Sequence, residues 1–513
     1  MWKWLAAPAR PILLAAVLAA CPMMTVAQQP TEVDQLKATV EALQRTVQET
    51  LKELDARTAA MESLQKTVDA LNARIAALEN EKVPPAQTPP HPLAETAAPS
   101  PQAQAVPAPR PGDVATHVRS QIPDYQNFSD HQTPAPRPDN VPLDPDLKGF
   151  IPIPGTQSMI RIGGAARVDA IENFGNNGNP NLFLLSSMPV DGQLGFGGPG
   201  QFGMQAKGTR ISFDIRRSGS ASGPFRVYYE NDFYNDSSSP AMSYRLRHLY
   251  GQGNNFLLGQ TYTAFMNPDA FPDTVDYIGP NAMVDVRQPQ VRIVAPLSER
   301  QHMTFSLEQP NSQIATSDPG YPAGASPINR YPDLALNYRF VGQGGHLQIA
   351  GLARSLGFDA PAAPERTVLG WGLSLSGALN FPGKDRFSFQ AAYGEGIARY
   401  IKDTVGLNLD AGLDARGRLK AIPVFAPMIG YTHQWTERWR STATYGYVRV
   451  DPPASMGPWA LRNTRYASLN VMWQPTKASW MGLEYLYGTK ETMNGAEGTA
   501  NRLNLVFKYD LVK

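Results

Sequence analysis

The chain has a single cysteine in 513 residues, Cys21, and no stretch of about 20 apolar residues. The first excludes a disulfide framework or a cysteine-built metal centre, and the second excludes a membrane-spanning helix. Charged residues are scarce at 18%, against roughly 25% in typical soluble domains. A net charge of +1 carries no bulk basic signal for nucleic acid. Enzyme signatures are lacking as well. The seven histidines are scattered, His91, His117 and His131 fall in a proline-rich region, and no HExxH, GxSxG or P-loop pattern occurs. His248 lies beside Arg245 and Arg247, and a hydrolytic role for it would need a partnered serine that the sequence context does not offer. No catalytic residue, metal site or cofactor is expected.

What is present begins with a leader. Lys3 and Arg10 precede an apolar core from Ile12 to Ala20, and Thr25-Val26-Ala27 forms a small-residue cleavage site. Residues 1–27 therefore read as a secretory signal peptide that carries Cys21 away. Leu18-Ala19-Ala20-Cys21 also has the form of a lipobox, which leaves lipidation at Cys21 as the alternative.

Residues 28–82 hold a heptad repeat. Val33, Leu36, Val40, Leu43 and Val47 step by three and four, and Leu54, Met61, Leu64, Val68, Leu71, Ile75 and Leu78 continue the seam. Only Thr50 and Arg57 interrupt it. The apolar choices at a and d lean to a dimer. The stretch Arg74-Ile75-Ala76-Ala77-Leu78-Glu79 is similar to a motif of parallel three-stranded coils, and the trimer is the reading favoured here. Residues 83–147 are rich in Pro, Ala and Gln, and proline removes donors and fixes φ. That segment is expected to be an extended linker.

From residue 148 to 513 the periodicity becomes two. Ile211, Phe213 and Ile215 share one face, with Arg210, Asp214 and Arg216 on the other. Leu334, Leu336, Tyr338 and Phe340 oppose Asp333, Ala335, Asn337 and Arg339. About sixteen such segments alternate between short turns and long loops, the pattern of an up-and-down transmembrane barrel. Long connections are expected near 172–203, 264–284, 310–330, 397–420 and 451–461. Tyr338, Tyr393, Trp439, Trp473, Tyr485 and Tyr487 fall near strand ends, as interfacial girdles require. The fold class is thus an all-β barrel of about 16 antiparallel strands behind a coiled coil and a Pro-rich linker. A soluble sandwich is the competing reading.

Three stretches then become specific. GFIPIPGTQSMIRIGGAARVDAI from Gly149, RVYYENDF from Arg226 followed by YRLRHLYGQ, and LLGQTYTAFMNPDAFPDTVDYIGP from Leu257 resemble the DcaP-like family of outer-membrane porins. The resemblance implies a trimeric sixteen-stranded porin with an N-terminal coiled coil, taking up small anions, with dicarboxylates as the substrate class. The expected location is the outer membrane of a Gram-negative bacterium, with the coil in the periplasm; contact of the coil with the cell wall stays open.

Reading faces, the side opposite the lipid carries Arg161, Arg167, Arg210, Arg216, Arg226, Arg245, Arg247 and Arg292, together with Asp169, Asp214, Glu230 and Asp232. Over 148–513 arginine outnumbers lysine 25 to 9. A guanidinium grips carboxylate or phosphate through parallel bonds and stays charged when dehydrated. A ladder of them offers a migrating anion successive weak sites in a water-filled lumen. The alternative is that these pairs are structural salt bridges filling the wall. The connection from Phe265 to Met283 carries Asp269, Asp273 and Asp276 with Pro268, Pro272 and Pro280. It is expected to fold inward as a constriction loop; a plain surface loop is the alternative. Functionally the expectation is passive uptake of small anionic solutes through an arginine-lined bore. A phosphate or pyrophosphate porin and a barrel-anchored tether or adhesin are its rivals.

Overall fold

The computed structural model describes residues 150–511, leaving aside residues 157, 221–222, 236–240, 254, 319 and 362. The expected signal peptide, Cys21, coiled coil and linker lie outside the described residues.

Sixteen long strands form one closed antiparallel barrel. They begin with β1 (Ser158–Asn173), β2 (Arg210–Ser220), β3 (Gly223–Asp232), β4 (Arg245–Gly253) and β5 (Phe256–Tyr262). The wall continues through β6 (Arg287–Ser298), β7 (Gln301–Glu308), β8 (Asp333–Gly342), β9 (Gly345–Ala360), β10 (Ala363–Asn380) and β11 (Arg386–Glu395). It ends with β12 (Pro423–Gln434), β13 (Trp439–Val450), β14 (Leu461–Thr476), β15 (Ser479–Thr492) and β16 (Glu497–Asp510). Closure comes from β1, which pairs with β2 (Arg161 opposite Asp214) and with β16 (Val168 opposite Phe507). Closing the sheet satisfies every edge, which a barrel in hydrocarbon must do. Gly164 stands where β1 leaves β16; its φ is +126° and a Cβ there would lie 2.2 Å from the Arg210 carbonyl oxygen, so only glycine fits.

The period-two faces fall as the sequence implies. On β8, Leu334, Leu336, Tyr338 and Phe340 are 37–45% exposed on the outside, while Asp333, Ala335, Asn337 and Arg339 are buried inside. Tyr393, Trp439, Tyr485 and Tyr487 are exposed on the same outer surface, and the Trp439 and Trp473 rings stack at 6.0 Å.

Strict short–long alternation does not hold. At the long-loop end β9 ends at Ala360 and β10 begins at Ala363, because these strands run on for 16 and 18 residues and convert loop length into ladder, and residues 493–496 make only a short connection. The interior also differs from the expected water-filled polar tube. Residues 263–286, between β5 and β6, fold into the barrel and are almost wholly buried. Phe265, Met266, Phe271 and Met283 pack there on Ala350, Leu352, Ala392, Val424, Met428 and Val448 of the inner wall. Two further loops enter: Leu185 and Met188 pack on Tyr466 and Leu486, and Ile397, Tyr400 and Ile401 join the larger cluster. The small inward residues are explained by this packing. A Cβ would meet Pro272 at Gly430 (2.4 Å), Asn281 at Gly446 (2.3 Å), Val275 at Gly482 (2.5 Å) and Leu185 at Gly488 (2.1 Å).

Candidate functional site: the charged lumen and its inward loop

All eight arginines singled out from the sequence project into the barrel, and each meets a charged or polar partner. Arg216 and Arg226 both grip Asp214, at 3.1 and 2.9 Å, and Arg161 approaches the same carboxylate at 3.7 Å. Arg167 binds Asp169 at 2.6 Å and donates to the Val275 carbonyl of the inward loop at 2.7 Å. Arg245 and Arg247 share Asp232, and Arg247 also holds Glu230 at 2.6 Å. Arg210 lies 3.9 Å from Glu230 and donates to the Tyr277 hydroxyl, which itself donates to Asp232. Arg292 donates to Gln290 Oε1 at 2.9 Å and to the Tyr262 carbonyl.

Six of the eight are buried in this network; Arg161 and Arg245 keep 23% and 30% of their side-chain exposure. Aromatic faces complete the lining: Tyr277 lies under Arg167 and Arg210, and Tyr228 and Tyr250 flank Arg226. Guanidinium groups at these ring faces gain cation–π attraction without being neutralised.

A β-bulge shapes this wall. Glu230 pairs with His248 and Asn231 with Leu246, so Arg247 is the extra residue. Arg247 and His248 both turn inward, and His248 Nδ1 meets Thr261 Oγ1 at 3.0 Å. Plain alternation puts His248 on the opposite face from Arg247, which is why the sequence pattern misses it.

Two of the three loop aspartates face arginines across the interior. Arg339 Nη2 donates to Asp269 Oδ2 at 2.6 Å, and Arg386 donates to the Asp269 carbonyl. Arg440 Nε donates to Asp273 Oδ2 at 2.5 Å, while Asn470 holds the Asp273 carbonyl. Asp276 instead presents its backbone N–H to Glu484 Oε2 at 2.5 Å. Arg339, Arg386 and Arg440 were not singled out from the sequence. The alternation of β8, β11 and β13 places them inward, but nothing local ties them to a loop so far away in the chain. At the short-turn end the Tyr431 hydroxyl, with the Gln434 N–H and His433 Nδ1, holds the Asp385 carboxyl down at about 2. Among the described residues no group of three or more His, Cys, Asp or Glu could hold a metal ion.

A closed sixteen-stranded barrel with an apolar outside, a charged inside and an inward loop between β5 and β6 has the architecture of an outer-membrane porin. Residues 148–511 match the family described as DcaP outer membrane protein, and the chain belongs to that family. Its fold fits the outer membrane of a Gram-negative bacterium. Among solved structures, the outer membrane channel DcaP of Acinetobacter baumannii aligns at a TM-score of 0.61 with 21% identity, covering 70% of this chain and 99% of that one. The anion-selective porin from Comamonas acidovorans aligns at 0.46 with 9% identity, over 69% of this chain and 100% of that one. The trimer form of OmpT of Vibrio cholerae aligns at 0.43 with 12% identity, over 69% and 99%. No curated protein matches the sequence.

Proposed function

We propose that this porin admits small anionic solutes by passive diffusion, with dicarboxylates as the preferred class. The observation that carries the reading is the concentration of guanidinium groups on the inner wall, where Arg161 and Arg245 remain partly exposed. Local field, and not the net charge of +1, governs permeation through a narrow low-dielectric passage. The paired carboxylates hold the guanidinium groups apart and oriented, and Asp269, Asp273 and Asp276 narrow the route as parts of a constriction loop. The working unit in this reading is a homotrimer, joined in the periplasm by the coiled coil of residues 28–82 and linked through 83–147 to the barrel. No covalent chemistry or cofactor is involved.

Two other readings draw on specific observations. Arginine also suits phosphate or pyrophosphate. The apolar packing of residues 263–286 inside the barrel supports a barrel that serves chiefly as an anchor. Arg161→Gln with Arg245→Gln separates them, since these side chains are the least buried and their removal least disturbs the wall. Flux of succinate into liposomes should fall more than flux of a neutral sugar, and the difference should shrink at 1 M salt, where screening shortens to about 3 Å. Equal loss for the sugar contradicts the proposal. A larger loss for phosphate than for succinate moves the substrate class to phosphate, and absence of flux in the wild type favours the anchor.

A further inference from the structure

The geometry points to a carboxylate-binding subsite formed by Arg339 and Arg386, held in this structure by the chain's own Asp269 as a displaceable internal ligand. The inference rests on the anion-uptake reading above and assigns that reading a specific site.

Arg339 projects from β8 and Arg386 from β11, with β9 and β10 between them. Three strand spacings separate the two backbones by roughly 14 Å around the wall. Both buried side chains nevertheless converge on one loop residue. Arg339 Nη2 takes the Asp269 carboxylate at 2.6 Å, and Arg386 Nη2 takes the Asp269 carbonyl oxygen. Asn267 steadies the approach, accepting from Arg339 Nη1 at 3.0 Å and donating to Ser376 Oγ at 3.0 Å, with His346 Nε2 3.1 Å from its amide nitrogen.

Asp269 is an imperfect occupant. Its Oδ1 is buried without a hydrogen-bond partner among the described residues, so its carboxylate uses one oxygen where a guanidinium fork can engage two. At Arg386 it offers a neutral carbonyl where a second carboxylate would make a charge-assisted bond. A free dicarboxylate can supply both improvements, one carboxylate to each arginine. The occupant is also removable. Asp214, Glu230 and Asp232 belong to strands and cannot leave their arginines without opening the wall. Asp269 belongs to the loop between β5 and β6, in a short turn bounded by Pro268 and Pro272, and can withdraw while the ladders stay intact. Exchange of Asp269 for the incoming anion gives a site strong enough to select and, with its competitor attached, weak enough to release.

The test uses the full-length porin in planar bilayers, with succinate as the probe and the concentration that half-blocks chloride current as the readout. Asp269→Asn should lower that concentration by about tenfold, the scale of one charge-assisted bond no longer competed for. Asp451→Asn removes the same charge from an exposed position beyond β13 and leaves Arg339 and Arg386 occupied, so it should shift the value by less than about twofold. Adding Arg386→Gln to Asp269→Asn should abolish the gain. If the loop variant does not fold, Arg386→Lys alone should raise the half-blocking concentration. An unchanged value in Asp269→Asn, or an equal shift in Asp451→Asn, overturns the subsite. Cation selectivity in the wild type would defeat the anion-uptake reading itself, whereas an anion-selective wild type with no Asp269 effect defeats only this inference.

Discussion

Gly430 on β12 and Pro272 on the inward loop stand so close that a Cβ added to the glycine would lie 2.4 Å from the proline Cβ. Gly430→Ala should therefore push the loop from the wall. Overpacking of this kind costs about 1–3 kcal/mol, read as a lower unfolding temperature in detergent. Ala443→Val, on the outer face of β13, should leave that temperature unchanged.

Arg440 and Asp273 form the second latch between loop and wall, at 2.5 Å and with both side chains buried. Arg440→Ala removes one partner of a buried ion pair, a loss that costs about 3–5 kcal/mol. The double variant Arg440→Met with Asp273→Leu should recover most of that loss. Equal instability of the single and double variants, measured by urea unfolding in micelles, would show that the pair does not fasten the loop.

Asp385 gives a pH dependence with a defined sign. Its carboxyl is held at about 2, below the ordinary 3.8, by the Tyr431 hydroxyl, the Gln434 N–H and His433. A lowered carboxyl adds stability that is fully present above pH 3.8 and lost as pH falls through 2. Amide exchange at Gln434 should accelerate between those values relative to the acid trend of neighbouring turns. Asp385→Asn should show faster exchange at neutral pH and no such step.

The barrel was legible because its signal is local and repeated: alternation is visible in seven consecutive residues on β2 and eight on β8, and the prolines of 265–283 mark a loop without ladder partners. What lay hidden depends on distant pairings. No pattern near Gly430, Gly446 or Gly482 announces that a loop from far earlier in the chain needs their missing side chains. The bulge that turns both Arg247 and His248 inward also breaks the alternation from which faces are read. Arg161, Arg167, Arg210, Arg216 and Arg226 stood out because carboxylates on the same strands accompany them. Arg339 and Arg440 reach the carboxylates of Asp269 and Asp273, and Arg386 the Asp269 carbonyl, on a loop far away in the chain.

Residues 33–79 carry a separate expectation. A peptide of that segment should sediment as a parallel trimer, and Arg74→Ala should weaken or redistribute it, since in such a coil the arginine stem would cover the layer of Ile75 and Leu78. A clean dimer for the unaltered peptide would contradict the three-stranded coil. The intact mass of the mature protein tests the neighbouring expectation, a start at Gln28 against an acylated Cys21.

Whether the inner wall selects for anions is read from the zero-current potential of the wild-type channel between unequal potassium chloride solutions. An arginine-lined lumen should give a potential with the sign set by chloride permeating faster than potassium, declining as both solutions are raised toward 1 M. A potential of the opposite sign, or one that does not respond to salt, would contradict it.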